Sequence, residues 1–407
     1  MLACQAVSPD RADHTVTIKP VTIKLSGWSA SPIEQRLLQQ VIQQFEQTHP
    51  TIHVKFEAIA DQYMDVMKTR LIGDAAPDVF YLEAFEAPFL MAQGVLEPLE
   101  EYIPADFDLA DFEPNLLNLF QANGHLYGIP KDYSTLALFY NTKAFAEANL
   151  EPPQTWDALL NAAPQLTIDR NQDGKPDQYG FGILPELPRL GYLMTAFGGQ
   201  IVDQQGNAAY GSEAVARALQ PIVAAYQNDR GVVQPADVGT QSGSEMFGQS
   251  KAAMVIEGNW AIPFLQDTFP ELEFSTAEVP TFNQQPGTMV YTVAYVMNRK
   301  SQHKQEAGEL IAYLTGRSGM TNWTSTGFAL PTRRSVAQQL QFNRDPLRSP
   351  LVAGVKYATP WQIGSYPTAV MNAFNNQFLS AILGQQPLQQ ALDRAEQEAN
   401  RQIQAAR

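Results

Sequence analysis

The 407-residue chain holds one cysteine and five histidines. A lone thiol, Cys4, excludes an internal disulfide. The two histidines four residues apart, His49 and His53, flank Pro50, which breaks the helix that a zinc-binding pair would need. No apolar run approaches the roughly 18 residues of a membrane span. Cations are also scarce, with 27 Lys and Arg against 42 Asp and Glu and a formal net charge of −15. Such a surface repels phosphate backbones, which argues against a nucleic-acid partner. The Gly-x-Ser-x-Gly elbow, the phosphate-binding Gly-x-x-x-x-Gly-Lys loop and the His-Glu-x-x-His helix do not occur. What remains is 44% hydrophobic and 17% charged, an ordinary globular balance, in a chain too long for one compact core. Two lobes are expected.

Regular patterning starts near Pro20. Val21, Ile23 and Leu25 alternate as in a strand, and Ser31-Pro32 offers an N-cap with proline at the first helical position. Ile33, Leu37, Leu38, Val41, Ile42 and Phe45 follow at helical spacing up to Pro50, after which Ile52, Val54 and Phe56 alternate again. A second helical run over Asp61–Ile72 leads into the apolar strand Asp78–Leu82. This β-α-β-α-β order predicts an α/β fold, a mostly parallel sheet flanked by helices, whose ligands bind beyond the carboxyl ends of the strands. Farther on, Thr155 caps a helix from Trp156, Gly211-Ser212-Glu213 opens another toward Gln227, and Ala252–Ile256 and Thr288–Met297 read as buried strands. Pro387–Ala406 reads as a terminal helix.

Several segments together resemble the family 1 extracellular solute-binding proteins of carbohydrate ABC transporters. They are Phe45-Glu46-Gln47-Thr48-His49-Pro50, Gly73-Asp74-Ala75-Ala76-Pro77-Asp78-Val79, Gly128-Ile129-Pro130 up to Tyr140-Asn141, and Pro153-Gln154-Thr155-Trp156-Asp157. Lys251-Ala252-Ala253-Met254 with Gly258-Asn259-Trp260, and Leu330-Pro331-Thr332-Arg333, complete the series. The resemblance implies a two-lobe periplasmic-binding-protein fold of type II with the ligand in the interlobe cleft. It places lobe one at 18–131 plus 288–335 and lobe two at 132–287 plus 336–407. It also implies a non-catalytic, monomeric subunit that closes on a small carbohydrate (a mono- to trisaccharide, glycoside or sugar compatible solute) and delivers it to a membrane permease.

Sugars present apolar CH faces and dense hydroxyl edges, so a cleft for them needs aromatic planes, carboxylates and amides. Trp260 stands between Gly258-Asn259 and Pro263 in a loop reading, where an indole has little packing role. Asp132 and Tyr133 follow Gly128-Ile129-Pro130-Lys131 at the expected crossing between lobes, and Glu83 closes a wholly apolar strand. Glu34, three residues after Ser31, suits either a capping box or a ligand contact. The family pattern adds Arg333 (with Arg334 as an adjacent rival), Tyr192, Glu257, Tyr291 and Trp361, while Trp156 is assigned to helix packing.

Asp169, Asn171, Asp173, Lys175 and Asp177 occupy positions 1, 3, 5, 7 and 9 of a calcium-loop pattern with Gly174 at the tight turn. Lys175 would contribute its backbone carbonyl. Position 12 is Gly180, so the expected ion is structural and lacks the usual bidentate carboxylate. The same residues also make an ordinary turn. At the N-terminus, Leu2-Ala3-Cys4 resembles the end of a lipoprotein signal, which makes 1–17 an expected lipid-anchor and linker segment of an extracytoplasmic protein. Competing readings are a glycosidase using two acids across the cleft, and a binding protein for a solute other than sugar.

Overall fold

The computed structural model describes residues 19–28, 32–228 and 231–407. Cys4, with the expected anchor segment 1–17, and the expected N-cap Ser31 lie outside them. Strand Val21–Gly27 pairs in parallel with Ile52–Ala58, from Val21 opposite Ile52 to Gly27 opposite Ala58. Its other edge receives Val79–Glu83, again in parallel. The helices Pro32–Thr48 and Tyr63–Ile72 make the crossovers between these strands. Leu38, Val41, Ile42, Phe45 and Met67 bury their apolar stripe against Ile23, Leu25, Phe80 and Leu82. Each such side chain contributes about 1.5–3 kcal/mol by leaving water.

Beyond these three strands the sheet becomes antiparallel. Met289–Met297 pairs with Val79–Glu83 on one side and with the first half of the fourteen-residue strand Gly128–Asn141 on the other. The second half of Gly128–Asn141 pairs with Ala252–Gly258, from Leu136 opposite Gly258 to Tyr140 opposite Met254. Tyr179–Gly182 and Val232–Val233 then extend this side in parallel. The expected parallel order therefore holds in the outer strands of both halves. The strands joining them run antiparallel because Gly128–Asn141 carries the chain into the second half and Met289–Met297 brings it back alongside.

Two cores result. The first draws on Ile23 through Ile129 and Ala294 through Val336, and the second on Leu136 through Met289 and Trp361 through Ile403. Phe85 is the exception, an early residue that packs into the second core. A third cluster, with Phe139, Val255, Val290, Leu330 and Leu351, lies along the shared strands. The cap of the helix Trp156–Ala162 forms as expected, Thr155 Oγ1 accepting the Ala158 N–H at 3.1 Å. Trp156 is buried in the second core between Phe181 and Phe282. The terminal helix Leu388–Ala406 packs Leu392, Ala395, Ala399 and Ile403 into the same core.

The shared strand carries one irregularity. Val293 faces Asp132 and Ala294 faces Pro130, so Lys131 is an extra residue without a partner. A bulge of this kind re-aims the side chains around it.

Candidate functional site

A cavity of about 300 Å³ lies where the two halves meet, and the bulge forms part of its wall. In a regular strand Lys131 and Asp132 would face opposite sides. Here both line the cavity. Their side chains form an ion pair, and Asp132 Oδ2 also accepts the Trp323 indole N–H at 2.8 Å. The Lys131 ammonium lies 4.1 Å from the Trp323 ring centre and 4.8 Å from that of Tyr81. A buried cation is costly unless paired, and this one has a carboxylate and two ring faces.

The opposite wall begins at the end of strand Ala252–Gly258. Residues 259–260 form a turn into the helix Ala261–Thr268, so Trp260 occupies the loop position its neighbours predicted. The ring folds over Gly258, where an added Cβ would lie 2.2 Å from the indole. Its N–H donates to Glu257 Oε2 at 2.8 Å, and Tyr291 meets it edge-on with centroids 5.7 Å apart. The Asn259 amide nitrogen donates to the carbonyls of Gly327 and Phe328 at 2.9 and 2.8 Å. This ties the turn to a segment from the other half. Its buried Oδ1 has no hydrogen-bond partner among the described residues.

The remaining walls come from several separate stretches. Trp28 follows strand Val21–Gly27 and stands edge-on to Tyr63 and Tyr81, at 5.0 and 5.2 Å. Phe85 stacks on Trp361 at 5.1 Å with the planes 9° apart, and Gln362 anchors that segment by donating to the Ala84 and Leu119 carbonyls. Glu34 is 5% exposed and Glu83 ends its strand at the cavity. Glu83 is exposed to water at the cavity mouth, and the cleft walls still strip part of the hydration from its carboxyl group. That desolvation, with the like charge of Glu86, raises its pKa above the ordinary carboxylate value.

Seven of the sequence-derived site residues thus come together: Glu34, Glu83, Asp132, Tyr133, Trp260, Tyr291 and Trp361 all line this cavity. Three do not. Glu257 is 1% exposed and sits behind Trp260, holding its indole rather than facing the cavity. Tyr192 is buried in the second core. Arg333 belongs to a clamp elsewhere in the first half, because local carbonyls and a carboxylate already use its guanidinium. It donates to the carbonyls of Thr315, Asp108 and Phe107, pairs with Asp111 at 3.2 Å, and lies against the rings of Phe107 and Phe112. Its rival Arg334 donates to Ala110 O beside the same loop. Lining residues that the sequence reading did not place in the site include Trp28, Phe85, Ser134, Asn259 and Phe328. Trp28 and Phe85 follow strand ends, the same signal that pointed to Glu83.

Larger hollows exist, one of about 600 Å³ lined by Lys143, Glu147, Arg170, Glu271 and Glu273 among others. Its lining comes from one half of the molecule and includes a single ring, Phe269, so it lacks the facing aromatic walls of the cleft.

Among the described residues no group of three or more His, Cys, Asp and Glu side chains converges into a metal cluster. In the loop 169–177 the oxygens accept backbone N–H groups instead. Asp169 Oδ2 accepts from Gly174, Asn171 Oδ1 from Asp173, Asp173 Oδ1 from Lys175 and Asp177 Oδ2 from Arg170, at 2.7–2.9 Å. Gly180, at position 12, has no room for a side chain, since a Cβ would lie 1.9 Å from the Ala163 carbonyl oxygen.

Residues 29–321 match the model of the bacterial extracellular solute-binding protein family. A mannitol-binding protein of Pseudomonas aeruginosa is 23% identical over 414 aligned positions, covering 91% of this chain and 90% of that one. Among solved structures, an ABC substrate-binding protein from Listeria monocytogenes in complex with cycloalternan superposes with a TM-score of 0.84 at 21% identity, over 95% of this chain and 99% of that one. A solute-binding protein from Thermotoga lettingae bound with α-D-tagatose gives 0.79 at 25% identity, over 94% and 99%. The two-lobe α/β architecture is that of periplasmic binding proteins.

Glu83 supplies a test of this geometry that needs no ligand. Its folded pKa lies above the unfolded value, so the ionised carboxylate costs stability at neutral pH. The cost fades as the pH falls through the folded pKa and is gone once both states are protonated. Glu83→Gln is expected to raise the melting temperature at pH 7 slightly and to leave it unchanged in acid. An equal or lower melt at pH 7 contradicts the assignment.

Proposed function

Because the chain belongs to the bacterial extracellular solute-binding protein family, we propose that it captures a small carbohydrate in the interlobe cavity for an ABC importer. The observation that carries this reading is the pairing, in one cavity, of indole and phenol faces with the carboxylates of Glu34, Glu83 and Asp132. Apolar CH faces of a sugar stack on Trp260 or Trp28, and its hydroxyls donate to the carboxylates. Among the described residues the lining includes one cation, Lys131, already engaged by Asp132, so a phosphorylated solute finds little there. The relatives that bind mannitol, cycloalternan and tagatose support a polyhydroxylated ligand. The lobes, near 18–131 plus 288–335 and 132–287 plus 336–407, close about the shared strands and so create the face the permease recognises.

Among the described residues no helix is long and apolar enough to cross a membrane. The proposal includes a monomer held outside the cytoplasm by a lipid on Cys4. Mass spectrometry of the native membrane fraction is expected to find that lipid, and an unmodified Cys4 rejects it.

The proposal also includes a structural calcium held by Asp169, Asn171, Asp173, the Lys175 carbonyl and Asp177. Its support is Asp169 Oδ1, buried and without a hydrogen-bond partner among the described residues. Calcium is expected to raise the melting temperature, chelation to lower it, and Asp173→Ala to abolish the response. Identical melts of the wild type in calcium and in chelator leave only a turn.

The ligand is found by thermal shift against a panel of neutral carbohydrates, since a ligand at 100 times its Kd adds about 2.7 kcal/mol of stability. Trp260→Ala should then weaken that sugar about thirtyfold or more by calorimetry, as loss of a hot-spot aromatic does. The ligand-free variant should melt near the wild type, because Trp260 is only partly buried. A well-folded variant with unchanged affinity removes Trp260 from the site.

A further inference from the structure

Arg189 is the third residue of the helix Leu187–Ala196, where the backbone dipole disfavours a cation. Something else must hold it there. Its Nη1 lies 3.3 Å from Glu257 Oε2, the oxygen that accepts the Trp260 indole N–H, and its guanidinium carbon lies 5.0 Å from the Trp260 ring centre. Glu257 is almost fully buried, and the neighbouring chain makes room for it at Gly243, where a Cβ would lie 2.4 Å from Oε1. Tyr291, whose ring meets Trp260 edge-on, donates its hydroxyl to the carbonyl of Pro188, the residue before Arg189. Arg189 does not line the cavity that Trp260 lines.

We infer that Arg189 is a positioning residue for ligand capture, fixing the Trp260 indole in the cleft through Glu257 and by covering the ring. This rests on the reading of Trp260 as a sugar platform. The electrostatics agree, because a buried carboxylate needs a cation, and a cation beside an indole draws on the ring's negative face. An indole fixed from behind loses little freedom when a sugar docks, so the ligand gains affinity through pre-organisation.

The test uses the whole chain labelled with 5-fluorotryptophan, its five indoles read by fluorine NMR and the Trp260 signal identified by its loss in Trp260→Phe. In the ligand-free protein Arg189→Met is expected to shift or broaden the Trp260 signal and to leave that of Trp156 in place. Affinity for the sugar found by the screen should fall about fivefold or more, the range of coupling within one network. In a Trp260→Ala background the same substitution should cause no further fall, and Arg189→Lys should lie between. If Arg189→Met does not fold, the pair Arg189→Met with Glu257→Gln leaves no charge unpaired and is compared with Glu257→Gln alone, in which the amide still accepts the indole N–H. The Trp260 signal is expected to move further in the pair, and equal signals overturn the inference. A Trp260 signal superimposable on the wild type overturns the inference, as does an equal affinity loss with and without Trp260. A wild type that binds no carbohydrate would remove the functional reading, while the ligand-free spectrum would still decide whether Arg189 holds the indole.

Discussion

The extra residue at Lys131 constrains everything around the cleft. One strand, Gly128–Asn141, hydrogen-bonds into both halves of the molecule, and its bulge lies where the cavity opens. Without that insertion Lys131 and Asp132 would point to opposite faces, and a charge would be driven into an apolar layer. With it, the ammonium, the carboxylate and the Trp323 indole satisfy one another at the cavity wall. Breaking such a buried pair by removing one partner typically costs about 3–5 kcal/mol. The arrangement therefore holds the strand in register as well as shaping the site. Met289–Met297 accompanies this strand, so any movement of one lobe against the other bends the pair of them.

The two walls repeat one device. In the first half, Trp323 donates to Asp132 while Lys131 lies over the ring, and in the second, Trp260 donates to Glu257 while Arg189 lies over the ring. Both indole N–H distances are 2.8 Å. Each wall thus has an aromatic plane set by a charge-assisted hydrogen bond before any ligand arrives. They differ in what faces the cavity. On the first side the carboxylate and the lysine do, with the indole behind; on the second the indole does, with both charges behind. The cleft consequently offers hydroxyl acceptors beside Trp28 on one side and the Trp260 face on the other.

Much of this was readable locally. Period-two and helical spacing located the first five elements, and the rule that ligands sit beyond strand carboxyl ends pointed to Glu83. Glycine and proline around Trp260 identified its turn. The failures are non-local. Arg333 follows a proline and a threonine as a cleft arginine would, but the carbonyls that capture it belong to Phe107 and Asp108, more than two hundred positions earlier. Glu257 lies within a strand whose other residues are all buried, and only the three-dimensional approach of Arg189 explains a carboxylate there. The bulge had one local clue, Pro130, which cannot donate to a ladder. Trp28 follows the strand Val21–Gly27 and is legible by the same strand-end rule.

The central claim is that the cavity between Trp260 and the Asp132 wall receives a sugar ring. A crystal structure of the protein with the carbohydrate that stabilises it most tests this directly. The expected result is difference density for the ring against the Trp260 face, with hydroxyls within hydrogen-bond distance of Asp132 or Glu83. Density for the sugar outside this cleft, with the cleft left to solvent, would contradict the account.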